Sequence, residues 1–265
     1  MSRVQQKLLG NCPRGFDRVQ MFTMRRELTP EVMDDANIDP QVHRRALLGL
    51  SRLNRLSQAS VSVARVIQEL LAARGLPAYN ASLLDLACGG GDLLLGVRRI
   101  LGPVPASSSR KQATTNIAVD ISSTALEVLR ERAERQKLDV HRVRVDVLAA
   151  RLPVGDAGVE VCMCSLFLHH LTRADTLRVL REMARVARSG VVISDLARTR
   201  TGLLLAWCAS RLVTRSRVVH VDSLKSVRAA WTRNELLELA REAGLHTAEV
   251  RAIWPQRLLL VWRRA

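Results

Sequence analysis

Apolar residues recur every three or four positions across residues 43–73, HRRALLGLSRLNRLSQASVSVARVIQELLAA. That spacing lines one face of a helix, so it predicts two amphipathic helices. Further on the pattern changes. Short apolar or β-branched runs at 82–86, 116–120, 140–145, 159–165 and 190–196 read as strands, and they alternate with stretches of helical period. Strands that alternate with helices form a parallel sheet covered on both faces, an α/β architecture. The alternation breaks at the end, where runs at 247–254 and 257–262 are separated only by Pro255 and Gln256, predicting a closing antiparallel hairpin. Thr232 followed by Glu235 reads as a capping box opening a helix over 233–243, which Gly244 stops.

Between Asp195 and Trp231 lies ARTRTGLLLAWCASRLVTRSRVVHVDSLKSVRAA, too long for a plain strand-to-helix loop. Ligands of open α/β sheets bind outside the carboxyl ends of the strands, so an insertion there is placed to cover a site. The chain therefore divides into a poorly patterned extension (1–23), a helical cap (24–80) and a main domain (81–265) carrying a lid insertion (197–230).

Composition narrows the class. A chain of 265 residues, 48% hydrophobic and 25% charged, suits one large α/β domain and excludes a disordered or collagen-like chain. There is no run of eighteen apolar residues, and the N-terminus has no apolar core with a small-residue cleavage site. These features predict no spanning helix, no secretory signal and a cytoplasmic protein. The net charge of +16 invites nucleic acid or an anionic membrane, and peripheral membrane contact stays open. Nucleic acid is disfavoured: the arginines are spread over every segment, only Lys7, Lys111, Lys137 and Lys225 are lysines, and 3% aromatics leave few platforms for bases. The five cysteines include no CxxC pair and read as reduced, mostly buried thiols.

The sharpest motif is LLDLACGGGD at 83–92, an apolar strand, a glycine-rich turn and a helix. Glycines let a ligand approach the backbone closely, and the first helical N–H groups are free to bind polar atoms, so a cofactor is implied. The turn is not the GxGxxG of a dinucleotide site. Asp85 and Asp92 flank it, which disfavours a phosphate and favours a cationic or zwitterionic ligand such as the amino-acid part of S-adenosylmethionine.

On these residues the chain, from about Asp85 to Trp262, resembles the class I S-adenosylmethionine-dependent methyltransferases. The resemblance implies a Rossmann-like, seven-stranded, mostly parallel sheet with an antiparallel last strand, and S-adenosyl-L-methionine as cofactor. It assigns the turn, Asp85, Ala87, Gly89 and Gly91, to the family's first motif, with Ala87 in place of the usual first glycine. Asp120, followed by Ile121, would hold the ribose hydroxyls, and a carboxylate can accept from two vicinal hydroxyls. The gap from Gly91 to Asp120 exceeds that of the dinucleotide motif and is filled by a polar stretch, 102–115, read as a surface loop. Asp146 would accept from the adenine amino group while Val147 packs on the ring; alone, Asp146 also fits a strand-end cap. CSLFLHHL at 164–171, with Ser165, would border the sulfonium and the acceptor.

That segment, VVHVDSLKSVRAAW at 218–231 and IWPQRLLLVW at 253–262 are also similar to bacterial small-molecule methyltransferases associated with type III polyketide synthases. This narrower resemblance implies O-methylation of a phenolic or polyketide-type lipophilic acceptor. Methyl transfer needs alignment more than acid–base help, yet a histidine would assist a phenol. His170 and His220 are the candidate bases, with His169 beside them and Asp195 as an orienter; two adjacent histidines are not expected to face the same way. No HxH or HExxH spacing occurs, so metal independence is expected. Quinone-type C-methylation and a non-catalytic cofactor- or RNA-binding module are the alternatives.

Overall fold

The computed structural model describes residues 24–35, 37–103 and 115–265. The expected extension over 1–23 and residues 104–114 of the expected surface loop lie outside the described residues. The sheet is built from β1 (Leu83–Leu86), β2 (Asn116–Asp120), β3 (His141–Arg144), β4 (Val159–Ser165), β5 (Ala187–Leu196), β6 (Glu249–Ile253) and β7 (Arg257–Arg263), in the order β3-β2-β1-β4-β5-β7-β6. β1 to β5 pair in parallel, and β7 runs antiparallel to both β5 and β6. The last strand is thus the reversed one, as the hairpin predicted. The order turns back between β1 and β4, which opens a crevice at their carboxyl ends.

Successive strand residues feed opposite faces. Leu84, Leu86, Cys162 and Cys164 pack into one core, and Leu83, Val161 and Met163 into the other. The second face is covered by α2 (Ala59–Ala72), α3 (Asp92–Leu101) and α4 (Ser123–Arg135), the first by α5 (Arg173–Val186) and α8 (Arg233–Glu242). The cap opens with α1 (Pro40–Ser57), started by the Asp39 carboxylate on the N–H groups of Gln41 and Val42 and separated from α2 by left-handed Gln58. Thr232 and Glu235 form the predicted capping box, and Gly244 follows α8 at φ +93°. β5 begins at Ala187, before the expected 190, because its entry is polar: Arg188 is exposed and the Ser189 hydroxyl donates to Glu160.

The insertion folds into α6 (Arg200–Val213) and α7 (Arg217–Ala229), which pack on each other and on α1. It also grips residues 24–35. Asp222 accepts from the N–H groups of Val32 (3.0 Å) and Met33 (3.1 Å), and Arg198 donates to the Met24 carbonyl (2.7 Å). Arg26 stacks over Trp231 at 3.5 Å and donates to the carbonyls of Ala229, His169 and Leu171.

Candidate active site

β1 runs straight into the glycine turn, where Ala87, Gly89 and Gly91 have φ of 51°, 52° and 75°. Left-handed backbone favours glycine, and at Gly91 space demands it too, since a Cβ would lie 2.2 Å from Leu129 Cδ1. Behind the turn Asp85 is fully buried; its Oδ2 accepts from the Leu94 N–H at 3.2 Å, while Oδ1 has no hydrogen-bond partner. Burial pushes this carboxyl up to about 8. Asp92 pairs with Arg132 at 2.6 Å and accepts from Asn54 at 3.1 Å. One flanking carboxyl is therefore neutral near pH 7 and the other is neutralised. The charge argument for a cationic ligand made from the sequence is accordingly weaker than the spacing suggested; Asp85 anchors the start of α3 instead.

β2 ends beside this turn, which brings Asp120 against it. Its Oδ2 accepts from the Gly89 N–H and its Oδ1 from the Ser122 N–H, both at 2.8 Å. Burial raises the Asp120 carboxyl, and these backbone donors oppose the rise. Beyond β3, Asp146 accepts from the Leu148 N–H at 2.8 Å. Ser165 at the end of β4 accepts from the buried Arg257 at 3.3 Å, and Arg257 also donates to Asn54 at 2.8 Å. Asp85, Ala87, Gly89, Asp120, Ile121, Asp146, Val147 and Ser165 all line one cavity of about 1000 Å³. Gly91 is turned away from it onto Leu129.

After β4 a single 3₁₀ turn, Leu168–His170, carries both histidines. Their rings lie 4.2 Å apart at 34°, yet only His170 opens on the cavity, so the two do not both face the site. A strand would have sent them to opposite faces; a 3₁₀ turn separates neighbours by roughly 120°, and carboxylates from two directions hold both rings. The Asp195 carboxylate lies 2.6 Å from His169 Nδ1, and that of Asp34 lies 3.0 Å from His170 Nδ1. Glu31 Oε1 lies 3.7 Å from His169 Nε2 and accepts from the Ser226 hydroxyl. His169 is buried, whereas His170, Glu31 and Asp34 line the cavity.

Burial works to lower the His170 pKa, but its hydrogen bond to Asp34 and the charges of Glu31, Asp34 and Asp195 outweigh it and raise it to about 9. Burial favours the neutral Asp195, and the charge and hydrogen bond of His169 overcome this to lower its pKa. Burial raises the Glu31 carboxyl against the pull of both histidines.

Donor atoms of Glu31, His169 and His170 lie within 4.8 Å of one another, near enough to share a cation. The expectation of metal independence rested on local spacing, which a grouping drawn from separate segments does not display. His220 lies elsewhere: its Nε2 donates to the Thr214 carbonyl at 2.8 Å and it does not line the cavity. Among the described residues none of 197–230 lines it either; the insertion meets the lining at second hand, through residues 24–35, through α1 and through the packing of α7 on the turn 168–170.

A family model described as a methyltransferase domain matches residues 83–190. The chain is 30% identical over 193 residues to the ubiquinone biosynthesis O-methyltransferase of Thiobacillus denitrificans, covering 71% of this chain and 74% of that one. Two solved structures share the fold. A SAM-dependent methyltransferase from Aquifex aeolicus matches with a TM-score of 0.58 at 16% identity, over 86% of this chain and 100% of that one. The plantazolicin methyltransferase BpumL, solved with SAH, matches with a TM-score of 0.60 at 11% identity, over 87% and 91% of the two chains. Glycine turn, strand order and relatives agree: the chain is an enzyme of the class I S-adenosylmethionine-dependent methyltransferase family.

Proposed function

We propose that this enzyme methylates a hydroxyl of a small lipophilic acceptor, phenolic or polyketide-type, with His170 receiving the hydroxyl proton. The supporting observation is that the His170–Asp34 pair opens on the same cavity as the glycine turn and Asp120. The cofactor, S-adenosylmethionine, supplies a methyl group already activated on a sulfonium.

The residues present suit that cofactor. A carboxylate has about four lone-pair sites, and Asp120 uses two on backbone N–H groups, so each oxygen keeps capacity for a ribose hydroxyl. By the family resemblance Asp146 and Val147 would border the adenine ring and Ser165 the reactive end, and all three line the same cavity. The orphaned Asp85 Oδ1 lies behind the turn and can serve its N–H groups or an ammonium above them.

Met33, Ile38, Leu47, Leu50 and Phe167 give the cavity apolar walls suited to a lipophilic acceptor. Holding hydroxyl and methyl at 3–3.5 Å is worth several kcal/mol before any proton moves. His170 then takes the proton on the nitrogen not held by Asp34. His169, locked to Asp195, fixes the turn that aims His170. The insertion acts as a lid through residues 24–35, which bring Glu31 and Asp34 to the site. That the Thiobacillus relative is an O-methyltransferase supports oxygen as the acceptor atom.

The test is incubation with methyl-labelled cofactor and a panel of phenolic lipids, quinols and RNA, with the product's methyl position read by NMR. Label on a phenolic oxygen is expected. Label on carbon or on RNA, with phenols left unmethylated, would overturn the reading.

A further inference from the structure

A helix on the surface of a soluble domain turns its apolar stripe inward, and α6 does the reverse. Its buried residues are Gly202 and Ser210, while Leu204, Trp207 and Leu212 are 63%, 47% and 86% exposed. Small inward residues let α6 lie close on α1 and α7, and among the described residues nothing covers Leu204, Trp207 and Leu212. Across a shallow cavity of about 470 Å³, exposed Arg215 and Arg217 follow α6, and Arg45, Leu48 and Arg52 project from α1. Arg45, Leu48 and Arg52 are spaced three and four apart, which puts them on one face of α1.

Charge identifies the occupant. No Asp or Glu occurs from residue 40 to 68 or from 196 to 221, the two stretches that build this patch. Among the described residues the patch is therefore cationic around an apolar centre. Several arginines elsewhere are answered: Arg130, Arg185 and Arg251 each pair with a carboxylate. Arg211 lies over the Trp207 ring at 4.5 Å, an arrangement that keeps the cation at the edge of the apolar surface. Apolar side chains with a tryptophan at the centre and arginines at the rim match the boundary between acyl chains and anionic headgroups. No helix among the described residues is long and apolar enough to cross a membrane, so contact there is peripheral.

We propose that α6, the α6–α7 turn and the outer face of α1 dock on an anionic lipid bilayer. Leu204, Trp207 and Leu212 enter the acyl boundary, and Arg45, Arg52, Arg211, Arg215 and Arg217 meet the headgroup phosphates. Docking here requires no particular methyl acceptor, and none of its residues belongs to the cofactor or histidine site.

The test is co-sedimentation of the full chain with vesicles of phosphatidylcholine alone or with phosphatidylglycerol added. Binding is expected to phosphatidylglycerol vesicles, to fall steeply with salt, and to be at least tenfold weaker for pure phosphatidylcholine. Leu204→Glu combined with Leu212→Glu should abolish it, and Arg215→Glu combined with Arg217→Glu should weaken it at least tenfold. Cofactor affinity by calorimetry should be unchanged in both, which shows that they fold. Bromolipids should quench the wild type more than Trp207→Phe. A wild-type protein that stays in the supernatant overturns the proposal, with or without folded variants. So does a self-association that the leucine variants disrupt, or RNA binding that they leave intact while vesicles are ignored.

Discussion

At the residue scale the proposed chemistry rests on His170. If it accepts the proton, kcat/KM should rise with pH toward an inflection near 9 in the free enzyme. Asp34→Asn removes the charge that holds the imidazolium and leaves at most a weaker, neutral acceptor, so the inflection should move to lower pH; an unmoved inflection would mean that another group titrates. Asp120 is the second residue to test. Asp120→Ala loses contacts to a charged acceptor worth about 1.5–3 kcal/mol each, so cofactor affinity measured by calorimetry should fall at least about tenfold. Asp85 gives a stability prediction. Its carboxyl moves from 3.8 to about 8 on folding, so the folded state holds a proton that the unfolded state releases, and stability declines as pH rises between those values. His170 acts in the same direction at higher pH: its raised pKa supports folding below about 6.5, and that support is lost through about 9. Asp85→Asn should melt higher than wild type at pH 9 and show no such advantage at pH 4.

At the element scale, the turn after β1 was legible because its requirement is local. Gly91 combines a left-handed backbone with contact on Leu129, so Gly91→Ala should lower thermal stability and, through the turn, cofactor affinity; a variant with unchanged melting would show that the Cβ finds room. The Thr232 cap was equally legible, and Thr232→Ala should cost about 0.5–2 kcal/mol in denaturant unfolding. Strand alternation gave the sheet, its order aside, and β5 was misread only where polar Arg188 and Ser189 mask its entry. The histidine pair resisted reading for a different reason. Local sequence carries no sign that Glu31 and Asp34 will arrive from the cap, and without those carboxylates His169 and His170 resemble any adjacent pair. Arg257 and Asn54 were hidden in the same way, since their pairing is purely tertiary.

At the scale of the whole molecule, residues 24–35 join the parts. They are held by Arg198, Asp222 and the backbone of α7, and they deliver Glu31 and Asp34 to the turn after β4. Position after β5 marked the insertion as a candidate lid, but sequence could not show that its contact with the cavity lining would be at second hand, through residues 24–35, α1 and the turn after β4. Asp222→Ala frees two backbone N–H groups of that segment, so acceptor turnover should drop more than cofactor affinity; a larger loss of cofactor affinity would place the segment over the cofactor instead. The account as a whole stands on one cavity serving cofactor and acceptor, with His170 at the acceptor end. Its most direct test is single-turnover methyl transfer to a phenolic acceptor by wild type and His170→Gln, with cofactor affinity measured on both. The account predicts a rate lower by roughly 10²–10⁴ with affinity intact; equal rates, or a rate and an affinity that fall together, would contradict it.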